Sequence, residues 1–246
     1  MSGSLRGACA VIGAGEGLGA AIARAFAREG LAVCVTRRPR HKEALEALAE
    51  AVRAEGGEAH AFALDARREA DVVEFFETVE RTIAPVEVVV FNIGANVRFP
   101  IAETTAQVYS KVWEMACFAG FLAGRQAGRV MVPRGRGSVL FTGATASLRG
   151  GAGFSAFAGA KHGLRALAQS LARELGPKGL HVAHVMIDGA IDGAFIRSIM
   201  PDVAERLERE EILEPDEIAK NFVWLHRQGR SAWTFEMDLR PWTETW

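Results

Sequence analysis

Short apolar runs alternate with helical stretches along the whole chain, and that alternation limits the fold more than any other feature. Strands are predicted at Ala8–Ile12, Leu31–Val35, His60–Leu64, Val86–Phe91, Gly137–Phe141, His181–Ile187 and Trp233–Leu239. Helices are predicted between them at Ala20–Glu29, Lys42–Glu55, Asp71–Ile83, Thr105–Val132, Ser155–Leu175 and Asp216–Gln228. Val86–Phe91 is apolar but for Glu87, as expected of a parallel strand covered on both faces. Repeated strand–helix–strand units with short connections predict an α/β fold, a doubly wound parallel sheet of about seven strands with right-handed crossovers and helices on both faces. No linker or low-complexity stretch interrupts the 246 residues, so residues 1–246 are expected to form a single domain.

Between the first strand and the first helix lies Gly13-Ala14-Gly15-Glu16-Gly17-Leu18-Gly19. Its GxxxGxG spacing allows a tight turn, and the missing side chains let a pyrophosphate approach the helix N-terminus. At that position the segment is read as a dinucleotide site rather than a bare turn. The second strand ends in Thr36-Arg37-Arg38, without the acid that would hold the adenosine ribose and repel a 2′-phosphate. That favours NADP(H) over NAD(H), the plainer reading of the arginines being a solvated loop. Glu16 either lies near the same phosphate or pairs with Arg37, and the sequence leaves both open.

Composition narrows the classes further. A formal net charge of −1 gives no reason to expect nucleic acid or an anionic membrane as partner. The 49% apolar content argues against disorder. Cys9, Cys34 and Cys117 form no CxxC pair, so neither a disulfide framework nor a metal site is expected. A glycine loop interrupts the short apolar run near the N-terminus, and no run approaches the ~20 residues of a membrane helix. A soluble, cytoplasmic protein is the expectation.

At this point the chain resembles the short-chain dehydrogenase/reductase family over essentially its whole length. The resemblance rests on the glycine loop, on Asp65 after the third strand, on Asn92-Ile93-Gly94 after the fourth, and on Lys161. It implies a Rossmann fold and a dinucleotide held by Gly13, Gly15, Gly17, Leu18, Gly19, Arg37, Arg38, Asp65, Asn92, Gly94, Lys161 and Ile191. Asp65 would meet the adenine and Asn92 would steady the sheet beside the cofactor; without the family they would read as an N-cap and a turn residue. The family's chemistry uses a tyrosine four residues before the lysine, a serine that polarises the carbonyl, and an asparagine in the preceding long helix. Those places hold Phe157, Ala144 and Ala116 here. Asp188-Gly189 replaces a Pro-Gly pair, Gly193 replaces the threonine that holds the nicotinamide amide, and Trp233–Asp238 replaces a glycine-rich ending.

The remaining candidates for proton transfer are Lys161, Thr142, Thr145 and Asp188. Either threonine can offer a hydroxyl or bond nearby backbone, and Ser147 and Ser155 follow in the next loop. Lys161 donates a proton if desolvation lowers its pKa, or simply binds ribose. Asp188 either pairs with Lys161 or caps a turn. His162 points away from Lys161, and His181 and His184 face opposite sides of a strand, against a shared metal. Tyr109 reads as a surface or interface residue, and Trp224, Trp233, Trp242 and Trp246 as core or subunit contacts. The segment Ile191–Leu213 is expected to cover the pocket.

Three functions fit. One is an NADP(H)-dependent oxidoreductase with a non-standard site, acting on a small carbonyl, alcohol or activated alkene. The second is a dinucleotide-binding sensor or partner subunit without turnover, and the third a non-redox lyase or isomerase. A homodimer or homotetramer is expected through the two long helices, whose small-residue stripe (Gly120, Gly124, Ala127; Ala160, Leu164, Leu167) is alternatively core.

Overall fold

The computed structural model describes residues 7–245. In chain order the elements are β1 (Ala8–Ile12), α1 (Leu18–Arg28), β2 (Ala32–Arg37), α2 (Lys42–Ala54), β3 (Ala59–Ala63), α3 (Glu69–Thr82) and β4 (Val86–Phe91). They continue with α4 (Ala106–Trp113), α5 (Ala119–Met131), β5 (Ser138–Thr142), α6 (Ser155–Leu175) and β6 (His181–Ile187). The last are α7 (Ala194–Ile199), α8 (Val203–Glu208), α9 (Pro215–Arg227) and β7 (Glu236–Leu239). The strands form one seven-stranded sheet in the order β3-β2-β1-β4-β5-β6-β7, and every neighbouring pair is parallel. This is the doubly wound, Rossmann-like sheet that the sequence predicts.

Side chains alternate along each strand and feed two cores. Cys9 and Val11 of β1 face α1, α2 and α9, where Ile22, Phe26, Leu45 and Phe222 are buried. Ala8, Ala10 and Ile12 face α3, α5 and α6, against Phe75, Phe76, Leu122 and Leu164. The chain runs outward from β1 to β3, then returns to place β4 on the other side of β1. That reversal opens a crevice at the strands' C-terminal ends, where ligands bind in such sheets.

Several expectations change. The helix predicted as continuous from Thr105 to Val132 is broken by one π-turn, Glu114–Phe118, which buries Ala116 and Cys117. The stripe Gly120, Gly124, Ala160 and Leu164 is core: a Cβ on Gly120 would lie 2.5 Å from Leu164 Cδ1, and one on Gly124 2.6 Å from Leu171 Cδ1. The interface reading of that stripe is therefore replaced. Trp224 and Trp242 are exposed, not core. Trp233 precedes β7 and stacks on His181 at 5.0 Å, which shortens the predicted last strand. Trp246 lies outside the described residues. Ile191–Leu213, read as a loop, carries the two short helices α7 and α8, closed at the base by an Ile191–Leu213 bridge. No helix among the described residues is long and apolar enough to cross a membrane.

Candidate functional site

Two adjoining clefts open at the C-terminal ends of the strands. The larger, about 910 Å³, runs from Glu16–Leu18 past Asn92–Gly94 and Thr142–Ala146 to Phe157, Lys161 and Ile191. The smaller, about 260 Å³, lies over β2 and β3 and is walled by Arg37, Arg38, His41, Asp65 and Arg67.

The glycine loop divides into two roles. Gly13 has φ +98°, and a Cβ there would sit 2.7 Å from Asn92 O. A Cβ on Gly19 would sit 2.7 Å from Gly13 O, so both positions need glycine for the turn itself. Gly15 and Gly17 instead face space, their nearest outside atoms 4.0 and 3.6 Å from an added Cβ. The first turn of α1 has neither a side-chain cap nor an acid, and among the described residues the N–H groups of Leu18 and Gly19 stay available to an anion, Ala20 N–H being taken by Gly15 O. Leu18, the first residue of α1, completes that wall. The loop thus fits a dinucleotide pyrophosphate.

Beside it, charge is one-sided. Neither Arg37 nor Arg38 has an ion-pair partner among the described residues, and Glu16 does not pair with Arg37. Burial, together with Arg40, Arg67 and Arg37, pushes the Arg38 guanidinium below its ordinary pKa. Asp65 is already engaged: Arg67 Nε donates to it at 2.9 Å, and the Arg67 backbone N–H at 3.1 Å. Those bonds hold its carboxyl below the usual range.

Side chains bridge the strand ends from β1 to β7. Asn92 Nδ2 donates to Gly13 O at 3.1 Å, tying β4 to β1. Lys161, buried on α6, donates from Nζ to Ile93 O at 3.1 Å and Thr142 O at 2.8 Å, tying β4 to β5. Burial pushes this lysine down to about 8. The Phe157 ring centroid lies 5.9 Å from Nζ. Thr145 donates its hydroxyl to Asp188 Oδ1, tying β5 to β6. Arg240, after β7, stands 3.6 Å from Asp188 Oδ2.

These contacts settle several open alternatives. Asp188 meets Thr145 and Arg240 rather than Lys161, and its side chain lies behind the wall of the larger cleft. Thr142 Oγ1 is buried in that wall without a partner among the described residues, so it can bond a ligand. Ser147 is turned inward, its Oγ accepting from Ala144 N at 3.1 Å, and Ser155 Oγ is buried without a partner among the described residues. Gly94 and Ile191 line the larger cleft. His162 is exposed and bonds Ala158 O. His181 and His184 do face opposite sides: His181 bonds Leu225 O and Thr234 O, whereas His184 Nδ1 meets Glu236 at 3.0 Å. Tyr109 is 45% exposed on α4, with its hydroxyl against Gly159.

Arg67 and Arg240 escaped the sequence reading. Both lie outside any motif, and only Asp188 in an unusual place pointed toward the second. The flap from 191 to 213 is pinned by Asp192 N to Leu213 O and Leu213 N to Ala190 O, each 2.9 Å. An Asp192–Arg197 pair at 2.7 Å fastens α7, whose Phe195 and Ile196 line the cleft.

Comparison with known proteins bears on this geometry. The family model for short chain dehydrogenases matches residues 8–202. An uncharacterized oxidoreductase of Bacillus subtilis, YxjF, is 31% identical over 196 residues, covering 79% of this chain and 75% of its own. The crystal structure of a short-chain dehydrogenase from Rhodopseudomonas palustris matches with a TM-score of 0.82 and 48% identity, over 96% of this chain and 98% of that one. An actinorhodin polyketide ketoreductase with NADPH shares the fold, with a TM-score of 0.87 at 24% identity over 98% of each chain.

Proposed function

This chain belongs to the short-chain dehydrogenase family, and we propose that it is an NADP(H)-dependent oxidoreductase acting on a small carbonyl, alcohol or activated alkene. One observation carries the reading: the glycine loop, Arg37, Asn92, Gly94 and Lys161 line a single cleft. The nicotinamide supplies hydride chemistry when bound. Gly15, Gly17 and the N-terminus of α1 would receive the pyrophosphate, and Arg37 and Arg38 the 2′-phosphate. Asp65, Asn92 and Ile191 would border the nucleotide, with Lys161 as the cation at its reactive end.

The site is non-standard for the family. Phe157 and Ala144, where tyrosine and serine are expected, have no proton to give, so proton transfer falls to Lys161, Thr142, Thr145 or Asp188. We place the protein in the cytoplasm, as a homodimer or homotetramer. The association face is the outer side of α4 and α5, where Trp113, Phe118 and Phe121 stack in a row with centroids 5.9 and 6.0 Å apart. Trp113 and Phe121 are 43% and 39% exposed.

The test is a fluorescence titration with NADPH and NADH, followed by a panel of aldehydes, ketones, secondary alcohols and enones. Preferred binding of NADPH together with turnover supports the proposal. Binding without turnover makes the protein a dinucleotide sensor or partner subunit. Failure to bind either dinucleotide overturns the reading altogether.

A further inference from the structure

The side chain of Asp188 is 9% exposed and does not line the cleft. Its link to the cleft is the hydroxyl of Thr145, which lines the wall beside Ala144 and donates its hydrogen to Oδ1. Behind the carboxylate stands Arg240, 3.6 Å from Oδ2 and also paired with Asp238. A hydroxyl that gives its hydrogen to a carboxylate keeps lone pairs for a third group. A guanidinium on the far side sets an opposite charge against that carboxylate.

We propose that Thr145, Asp188 and Arg240 form the proton relay of this enzyme, in place of the tyrosine that Phe157 cannot supply. The inference rests on the dinucleotide-dependent oxidoreductase reading above. In alcohol oxidation the substrate O–H bond breaks and its proton passes to Thr145 Oγ, while the Thr145 hydroxyl proton passes to Asp188. An oxidised nicotinamide, when bound, would be the oxidant that takes the carbinol C–H pair as hydride while the C=O bond forms. Asp188 ends as the carboxylic acid and Thr145 is unchanged. Carbonyl reduction runs the same transfers backward. After product leaves, the proton returns through Thr145 to water.

The other candidates lack one part of this arrangement. Lys161 already commits Nζ to Ile93 O and Thr142 O, the two carbonyls it ties together at the strand ends. Thr142 Oγ1 has no base behind it and can only hydrogen-bond a ligand. His184 is fully buried behind Gly143 and does not line the cleft, its Nδ1 held by Glu236.

The experiment compares wild type with Thr145→Val, Thr145→Ser and Asp188→Asn in alcohol oxidation with NADP⁺, from about pH 5 to 9. Dinucleotide binding to each protein is followed in parallel by cofactor fluorescence. Thr145→Val and Asp188→Asn are expected to lower kcat by about 10²- to 10⁴-fold without weakening dinucleotide binding. The acid limb of the wild-type profile should disappear, and Thr145→Ser should restore most of the loss. Wild-type kcat and pH profile in Thr145→Val, with dinucleotide binding intact, would overturn the relay alone. Wild type that binds dinucleotide but oxidises no alcohol would overturn both the relay and the enzymatic reading.

Discussion

Acid should destabilise this protein through one buried imidazole. The side chain of His184 is fully buried, with Nδ1 3.0 Å from Glu236 Oε1. Its Nε2 has no partner among the described residues, and a Cβ on Gly143 would lie 2.3 Å from it. Burial outweighs the attraction of Glu236, which Arg165 shares at 2.6 Å, and Lys161 and Arg165 oppose protonation further. The imidazole is pushed down from 6.5 to about 4. Because the folded value is the lower one, the unfolded chain binds the proton first. The stabilisation is complete above the unfolded pKa and is lost as pH falls toward 4. At ~1.4 kcal/mol per pH step between the two values, the full loss is ~3 kcal/mol, of which ~2 falls between pH 7 and 5. Urea unfolding of wild type and His184→Gln at those two pH values isolates the effect, since the carboxylates titrate in both proteins. Wild type should lose ~2 kcal/mol more than the variant. Equal losses would mean that the ring accepts a proton in place, and the burial argument would fail.

Three further outcomes follow from the same geometry. Arg38→Ala should weaken NADPH binding ~10- to 100-fold and leave NADH nearly unaffected in a fluorescence titration, because a charge-assisted bond to the 2′-phosphate is lost. Gly19→Ala should cost ~1–3 kcal/mol in thermal unfolding, since backbone atoms crowd the new methyl; Gly15→Ala should spare stability but impair dinucleotide binding. Replacing Trp113 and Phe121 by Glu should shift sedimentation from oligomer to monomer, because charge then falls on the exposed aromatic row.

What was legible in the sequence is what depends on short-range pattern. The starts and ends of β1, β4, α6 and β6 were read without error, because apolar run length and flanking glycines fix them. The glycine loop was legible for the same reason, whereas whether Arg37 pairs with Glu16 was not. The π-turn was not: Met115-Ala116-Cys117 carries helical periodicity, which does not distinguish a π-turn from an α-turn. Helices α7 and α8 were missed because they bury no residue, so they leave no apolar period. The Arg240–Asp188–Thr145 bridge joins positions 95 residues apart at its ends, a distance over which pattern carries no information. The small-residue stripe pointed equally to core and interface, and only the sheet decided between them.

The bridges also explain why Lys161 does not testify to the family's tyrosine chemistry. Its Nζ ties Ile93 O to Thr142 O whether or not a phenol stands four residues earlier. Removing it would leave two carbonyls at the strand ends without their donor, at ~1–3 kcal/mol for each that stays buried. That structural task needs no phenol at position 157, where the Phe157 ring face accommodates the cation. The discriminating residues lie one strand further on. Asp188 and Arg240 are not needed to join β6 to β7, whose backbone ladder runs from His184–Glu236 to Ile187–Leu239. A buried carboxylate and guanidinium carry a desolvation cost that an apolar pair would avoid. Their presence against a cleft-lining hydroxyl is therefore better explained by chemistry at Thr145 than by the stability of the sheet.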